Sequence, residues 1–173
     1  AAIVTTLGPA EFGSGAFDGV QFQAELERKA FEAGGGDYTA PTQTAADFLA
    51  GRASPSVRRS TFTFGTRPER LDLLLPERAV AAIAAALERF DRQIPGFASE
   101  QGLFVGLETR SSGPVRMVRD AASRRAQGIA NLYPVGEGAG YAGGIMSAAL
   151  DGAHSALALL AAGPPALARG GSA

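Results

Sequence analysis

Apolar and polar positions follow a changing rhythm along the chain, and each change predicts an element. Residues 2 to 7 are apolar or β-branched and predict a strand. From Val20 to Ala33 the apolar side chains Phe22, Leu26, Ala30 and Ala33 recur at helical spacing, with Gln23, Glu27 and Glu32 facing away. Asp18 is a fitting N-cap for that helix, and Gly34-Gly35-Gly36 stops it. Asp37 to Pro41 is extended or turning. Thr42 or Thr44 then caps a short helix that carries Phe48 and Leu49 and ends at Gly51. A polar, basic loop runs from Arg52 to Ser60, and the alternation Thr61-Phe62-Thr63-Phe64 predicts a short strand. After the brief apolar run Leu71 to Leu75, Pro76 opens a helix reaching about Arg92, with Val80, Ile83, Ala84, Leu87 and Phe90 on one face. Leu103 to Leu107 and Val115 to Val118 predict strands around a polar turn, Glu108 to Pro114. Last, the apolar run Leu132 to Val135 predicts a strand that meets a glycine cluster and then the helical pattern Ile145, Met146, Ala149, Leu150, Ala153, Leu157. The pattern as a whole predicts a mixed α and β fold. The final helix is interrupted by Ser147, Asp151, His154 and Ser155, which predicts a buried helix of a soluble protein and no membrane span. Residues 163–173 are rich in Ala, Gly and Ser and read as a frayed tail.

Composition narrows the chemistry. With 173 residues and 46% apolar side chains the chain can bury a core. Its net charge is -1 with scattered basic residues, which offers no footprint for nucleic acid or an anionic membrane. It has no cysteine, so thiolate catalysis and thiolate metal sites are excluded, in keeping with a cytoplasmic protein. One histidine, His154, rules out a multi-histidine metal site, and no metal is expected. The chain opens without an initiator Met and without a basic, apolar leader, which reads as a segment of a longer protein.

The glycine cluster is the strongest chemical signal. Gly136, Gly138, Gly140, Gly143 and Gly144 precede a helix whose first N–H groups lack internal partners and whose dipole attracts anions and electron-rich oxygens. The stretch is no Walker-type phosphate loop, because no GK[ST] follows. Gly138-Ala139-Gly140-Tyr141-Ala142-Gly143 satisfies the letters G-x-G-x-x-G, yet it opens no βαβ unit. Glu137 sits in the turn, either as a solvated acid or as an acceptor for ligand hydroxyls. Arg110 and Arg116 flank the Glu108–Pro114 turn, either as surface cations or as stabilisers of a phosphate or an anionic reduced ring. No residue stands out as a catalytic acid or base. A flavin-side enzyme segment, a nucleotide- or anion-binding module without redox activity, and an interaction domain with a merely structural glycine turn all fit these features.

Three blocks carry a resemblance: GVQFQAELERKAFEAGGGDYTAPTQTAADFLAGR, GLFVGLETRSSGPVRMVRD and LYPVGEGAGYAGGIMSAALDG. Together they resemble the C-terminal part of the bacterial FAD-dependent, NAD(FAD)-utilising dehydrogenases. The resemblance implies part of a Rossmann-like FAD-binding fold with an inserted α+β domain. Residues 1–100 would be the inserted, substrate-side domain, and 101–162 the returning C-terminal part of the FAD-binding domain. It implies FAD as cofactor of the whole protein, held at its flavin end by Gly136, Glu137, Gly143, Gly144, Ile145 and Arg110. The implied partners are the missing N-terminal FAD-binding half and NAD(P)H. No upstream phosphate-binding G-x-G-x-x-G is present in these residues, so FAD binding by this segment alone is expected to be weak or absent and the segment inactive by itself.

Overall fold

The computed structural model describes residues 2–110 and 113–163. The tail beyond residue 163 and the two serines of the Glu108–Pro114 turn therefore lie outside the described residues. The chain divides into two compact units, the first ending at Thr109 and the second beginning at Arg110.

The first unit is built on a three-stranded mixed sheet whose central strand, β1 (Ala40–Thr44), has an unusual sequence for that place. APTQT is polar and contains a proline, yet every residue of it is buried. Pro41 has no N–H to give to a ladder, but its carbonyl accepts from Gly106 N at 2.7 Å. Thr42 Oγ1 donates to Arg67 O at 3.0 Å. Gln43 Nε2 donates to Arg52 O at 2.8 Å and to Asp72 Oδ1 at 2.9 Å. These bonds supply the partners that buried polar groups require. On one side β2 (Thr66–Pro68) runs parallel, with Ala40 opposite Thr66; on the other β3 (Leu103–Val105) runs antiparallel, with Thr42 opposite Val105.

Helices cover this sheet. α1 (Pro9–Phe12) is a single turn, and α2 (Asp18–Gly34) ends at Gly35, whose left-handed conformation closes the helix. α3 (Ala45–Leu49) starts at Thr44, whose hydroxyl accepts from Asp47 N at 3.1 Å. α4 (Leu71–Leu74) and α5 (Glu77–Gln93) follow. Ala45, Phe48, Leu71 and Leu87 form the buried centre, and Ile3, Val80, Ile83, Phe97 and Phe104 pack around it.

The predicted helices from Val20, Thr44 and Pro76 are all present within a few residues, whereas several predicted strands are not. Residues 2 to 7 form no strand; Ile3 packs on the core from an irregular segment. Thr61–Phe64 leads into a turn, and strand pairing begins two residues later at Thr66. Val115–Val118 and Leu132–Val135 carry no ladder. Asp18 lies inside the first turn of α2, where its carboxylate accepts from Gly15 N at 2.8 Å, and Phe17 holds the cap position.

The second unit has one long helix, α6 (Ile145–Ala162), and otherwise irregular chain. The expectation of a buried helix is corrected here. Of its residues only Ser155 is fully buried, and Ile145, Met146, Leu150, Leu157 and Leu160 are exposed. The half-buried or buried positions Ala148, Asp151, Gly152, Ser155 and Ala158 fall on one stripe, which carries Asp151 and Ser155, whereas Ser147 and His154 are exposed. The helix is therefore turned with Asp151 and Ser155 inward and its large apolar side chains outward. By length and composition alone it is apolar enough to cross a membrane.

Gly34, buried at the end of α2, tests the packing of helix on strand. A Cβ built there would lie 1.9 Å from Thr39 O. Gly34→Ala should lower stability by about 1–3 kcal/mol in urea unfolding, although alanine is ordinarily the better helix former. A stability gain would show that the strand moves away freely.

Candidate functional site

The glycine turn is a closed loop joined to α6. Gly140 N donates to Glu137 O at 2.9 Å and Tyr141 N to Gly136 O at 3.0 Å. Gly136 and Gly140 adopt φ of 69° and 79°, in the left-handed region that glycine enters without strain. At Gly140 space also forbids a side chain: a Cβ would lie 2.6 Å from Val115 O and 2.9 Å from Arg116 Cα. The segment after Pro114 thus lies directly on the turn. Tyr141 fastens it there. Its hydroxyl donates to Met117 O at 3.1 Å and accepts from Arg119 N at 3.2 Å. Its ring lies 3.6 Å from the Arg119 guanidinium carbon and 5.0 Å from that of Arg116.

Below the turn stands a network of charges that spacing in the sequence did not suggest. Arg119 grips Asp151 with two parallel bonds, Nη1 to Oδ2 at 2.9 Å and Nη2 to Oδ1 at 2.6 Å. Arg124 Nη1 donates to the same Oδ1 at 2.8 Å, and Gly136 N donates to Oδ2 at 2.9 Å. Arg119 Nη1 also reaches Pro134 O at 2.5 Å. The side chains of Arg119 and Asp151 are 6% and 11% exposed, so both charges are largely withdrawn from water. The Arg119 guanidinium, followed by the Gly136 N–H and Arg124, holds the Asp151 carboxyl far below its ordinary range against the opposing effect of burial.

The predicted site residues do not all play one part. Glu137, Gly143, Gly144 and Ile145 are exposed together at the turn and the start of α6. The N–H groups of Ile145, Met146 and Ser147 have no acceptor among the described residues, and neither does the Glu137 carboxylate have a donor. Gly136 plays a different part, being buried with its N–H committed to Asp151. Arg110 is exposed at the start of the unit, separated from Gly113 by the two undescribed serines. Arg116 donates from Nε to Gly140 O at 3.0 Å, which makes it a brace of the turn. Among the described residues no cluster of three or more acidic or histidine side chains could hold a metal.

A mixed sheet covered by helices is followed along the chain by a glycine turn that opens a long helix. Comparison with known families gives the chain a place: the family described as FAD-dependent protein, C-terminal domain-like, matches residues 1–111. The chain belongs to that family, as the C-terminal part of an FAD-dependent protein. An uncharacterized protein of Clostridium beijerinckii is 42% identical over 154 residues, which are 87% of this chain but 29% of the relative. The chain thus spans less than a third of that relative's length. The family match covers the first unit, whereas the glycine turn and α6 lie beyond it.

Asp151→Asn should remove the charge that Arg119 and Arg124 are built around and leave two guanidiniums unanswered. The expected loss is about 3 kcal/mol or more in denaturant unfolding at pH 7. The sign with pH follows from the depressed carboxyl. Its stabilisation is complete above its ordinary pKa of 3.8 and is lost as pH falls from there toward the folded value. Acidification from pH 5 to about pH 2 should therefore cost the native chain more stability than it costs the Asp151→Asn variant; equal acid sensitivity would assign the fastening elsewhere.

Proposed function

We propose that the second unit supplies the flavin-side contacts of an FAD-dependent oxidoreductase, a dehydrogenase drawing electrons from NAD(P)H, and that the first unit lies on its substrate side. The observation that carries this reading is the open end of α6. Free N–H groups at Ile145, Met146 and Ser147, glycines without side chains at 143 and 144, and the unpartnered Glu137 carboxylate are gathered in a chain that belongs to an FAD-dependent family. This donor set fits the flavin end of FAD. The N–H groups would meet the oxygens of the pyrimidine edge, where the positive end of the helix favours electron density that gathers on reduction. Glu137 would accept from ribityl hydroxyls. Gly136 and Arg116 would act by holding the turn in place. When bound, FAD supplies the hydride chemistry; the protein contributes orientation and electrostatics.

The remaining contacts belong to a part of the polypeptide outside these residues, the N-terminal FAD-binding half. The outward apolar face of α6 supports this. Leu150, Leu157 and Leu160 form an exposed face of the kind that marks an interaction surface. A covering domain would bury it, while Asp151, Arg119 and Arg124 remain inside the second unit.

Titration of the full-length protein with FAD, followed by NAD(P)H while absorbance is recorded, tests the reading. Stoichiometric flavin binding and bleaching on reduction are expected, and Glu137→Ala should weaken FAD binding about tenfold. The 173-residue chain alone should hold little flavin. Failure of the full-length protein to bind flavin would overturn the assignment; a flavin-saturated 173-residue chain would overturn the need for a second half.

A further inference from the structure

We propose that the first unit carries a separate binding site, a polar cavity for a small organic anion that also bears a hydroxyl group. The cavity measures about 660 Å³ and is lined from α3, the loop that follows it and the segment just before β3. That size is in the range of small-molecule sites. Its floor is Asp47, 3% exposed. Arg52 Nε donates to Asp47 Oδ1 at 2.5 Å and Thr44 Oγ1 to Oδ2 at 2.8 Å. Thr44 N donates to the buried Ser54 hydroxyl at 2.9 Å, so the loop wall is tied to the sheet. The floor is thus charge-balanced and rigid before any ligand arrives, a condition that lowers the ordering cost of binding.

The rim is different: its hydrogen-bonding capacity is largely unused. A guanidinium offers five N–H donors. Arg52 spends its Nε on Asp47, and its terminal nitrogens have no acceptor among the described residues. Arg58 makes one long bond, Nη1 to Gln101 O at 3.4 Å. Two guanidiniums with spare donors on one cavity suit a carboxylate or phosphate, which they can grip through paired bonds. Glu100 lines the same cavity, and its carboxylate has no donor among the described residues. An isolated inorganic anion would be repelled by it. An anion with a hydroxyl to donate would use it, so the combination selects a hydroxy acid or a sugar-like phosphate. The simpler alternative is that Arg58 and Glu100 only face water.

Calorimetric titration of the full-length protein with glycerol 3-phosphate and, separately, with malate decides between these. Saturable binding of at least one is expected, and the tighter of the two identifies the anionic group as phosphate or carboxylate. Arg58→Gln, which leaves the Asp47–Arg52 pair in place, should weaken binding about tenfold or more. Glu100→Gln should also weaken it, because a neutral amide oxygen is a weaker acceptor for the ligand hydroxyl than the carboxylate. No saturable heat with either probe, unchanged affinity in Arg58→Gln, or tighter binding in Glu100→Gln, as expected of a carboxylate that merely repels anions, would each overturn the proposal. FAD binding should be unaffected by both substitutions, which separates this site from the flavin reading.

Discussion

The second unit depends on the carboxylate of Asp151. A charge withdrawn from water has to be answered by opposite charge and hydrogen bonds, and here the answers come from three places in the chain. Arg119 arrives from the segment that covers the glycine turn, Arg124 from the loop after it, and the Gly136 N–H from the turn itself. Satisfying one carboxylate therefore sets where the turn begins relative to the second turn of α6. It also sets which way α6 faces. With Asp151 and Ser155 directed inward, most of the apolar side chains have to point outward.

That inversion explains why the sequence was readable for the helix and misleading for its burial. Ile145 to Ala162 has helical spacing and a glycine start, and these are local properties. Burial is a property of what the helix packs against. A hydrophobic helix with Ser147, Asp151, His154 and Ser155 reads as a core helix with tolerated polar positions; here Asp151 and Ser155 are the ones that make contact within the unit. The bond from Arg119 to Asp151 spans 32 residues, and no spacing rule reaches that far. A legible sign was the lone acid in an otherwise apolar helix, which calls for a buried cation somewhere.

The first unit shows the same division. Helices with a regular apolar face, such as α5, were legible because amphipathic periodicity decides them. β1 was not, since APTQT has neither alternation nor β-branched apolar residues and holds a proline. Its position at the sheet centre is supported by side-chain bonds to Arg67 O in β2, Arg52 O in the loop after α3 and Asp72 in α4, none of which a local pattern announces. The predicted strands at 2–7 and 115–118 failed for the opposite reason. They have β-prone residues, but no neighbouring strand supplies their backbone partners. Of the candidate site, the turn and helix start were legible; the bracing roles of Gly136 and Arg116 became visible only from their contacts.

An open helix end in water is a poor anion trap, because solvent screens the partial charges that attract a ligand. The same N–H groups become effective when the site is closed and dry. Ile145 and Met146, both largely exposed, stand beside the free donors at the start of α6. Apolar side chains next to polar donors match a ring system with apolar faces and hydrogen-bonding edges, but in the isolated unit they leave the donors wet. Whatever covers the outward face of α6 would bury these side chains and dry the donors in the same step. Cofactor binding and the covering of α6 would then be energetically linked, each favouring the other.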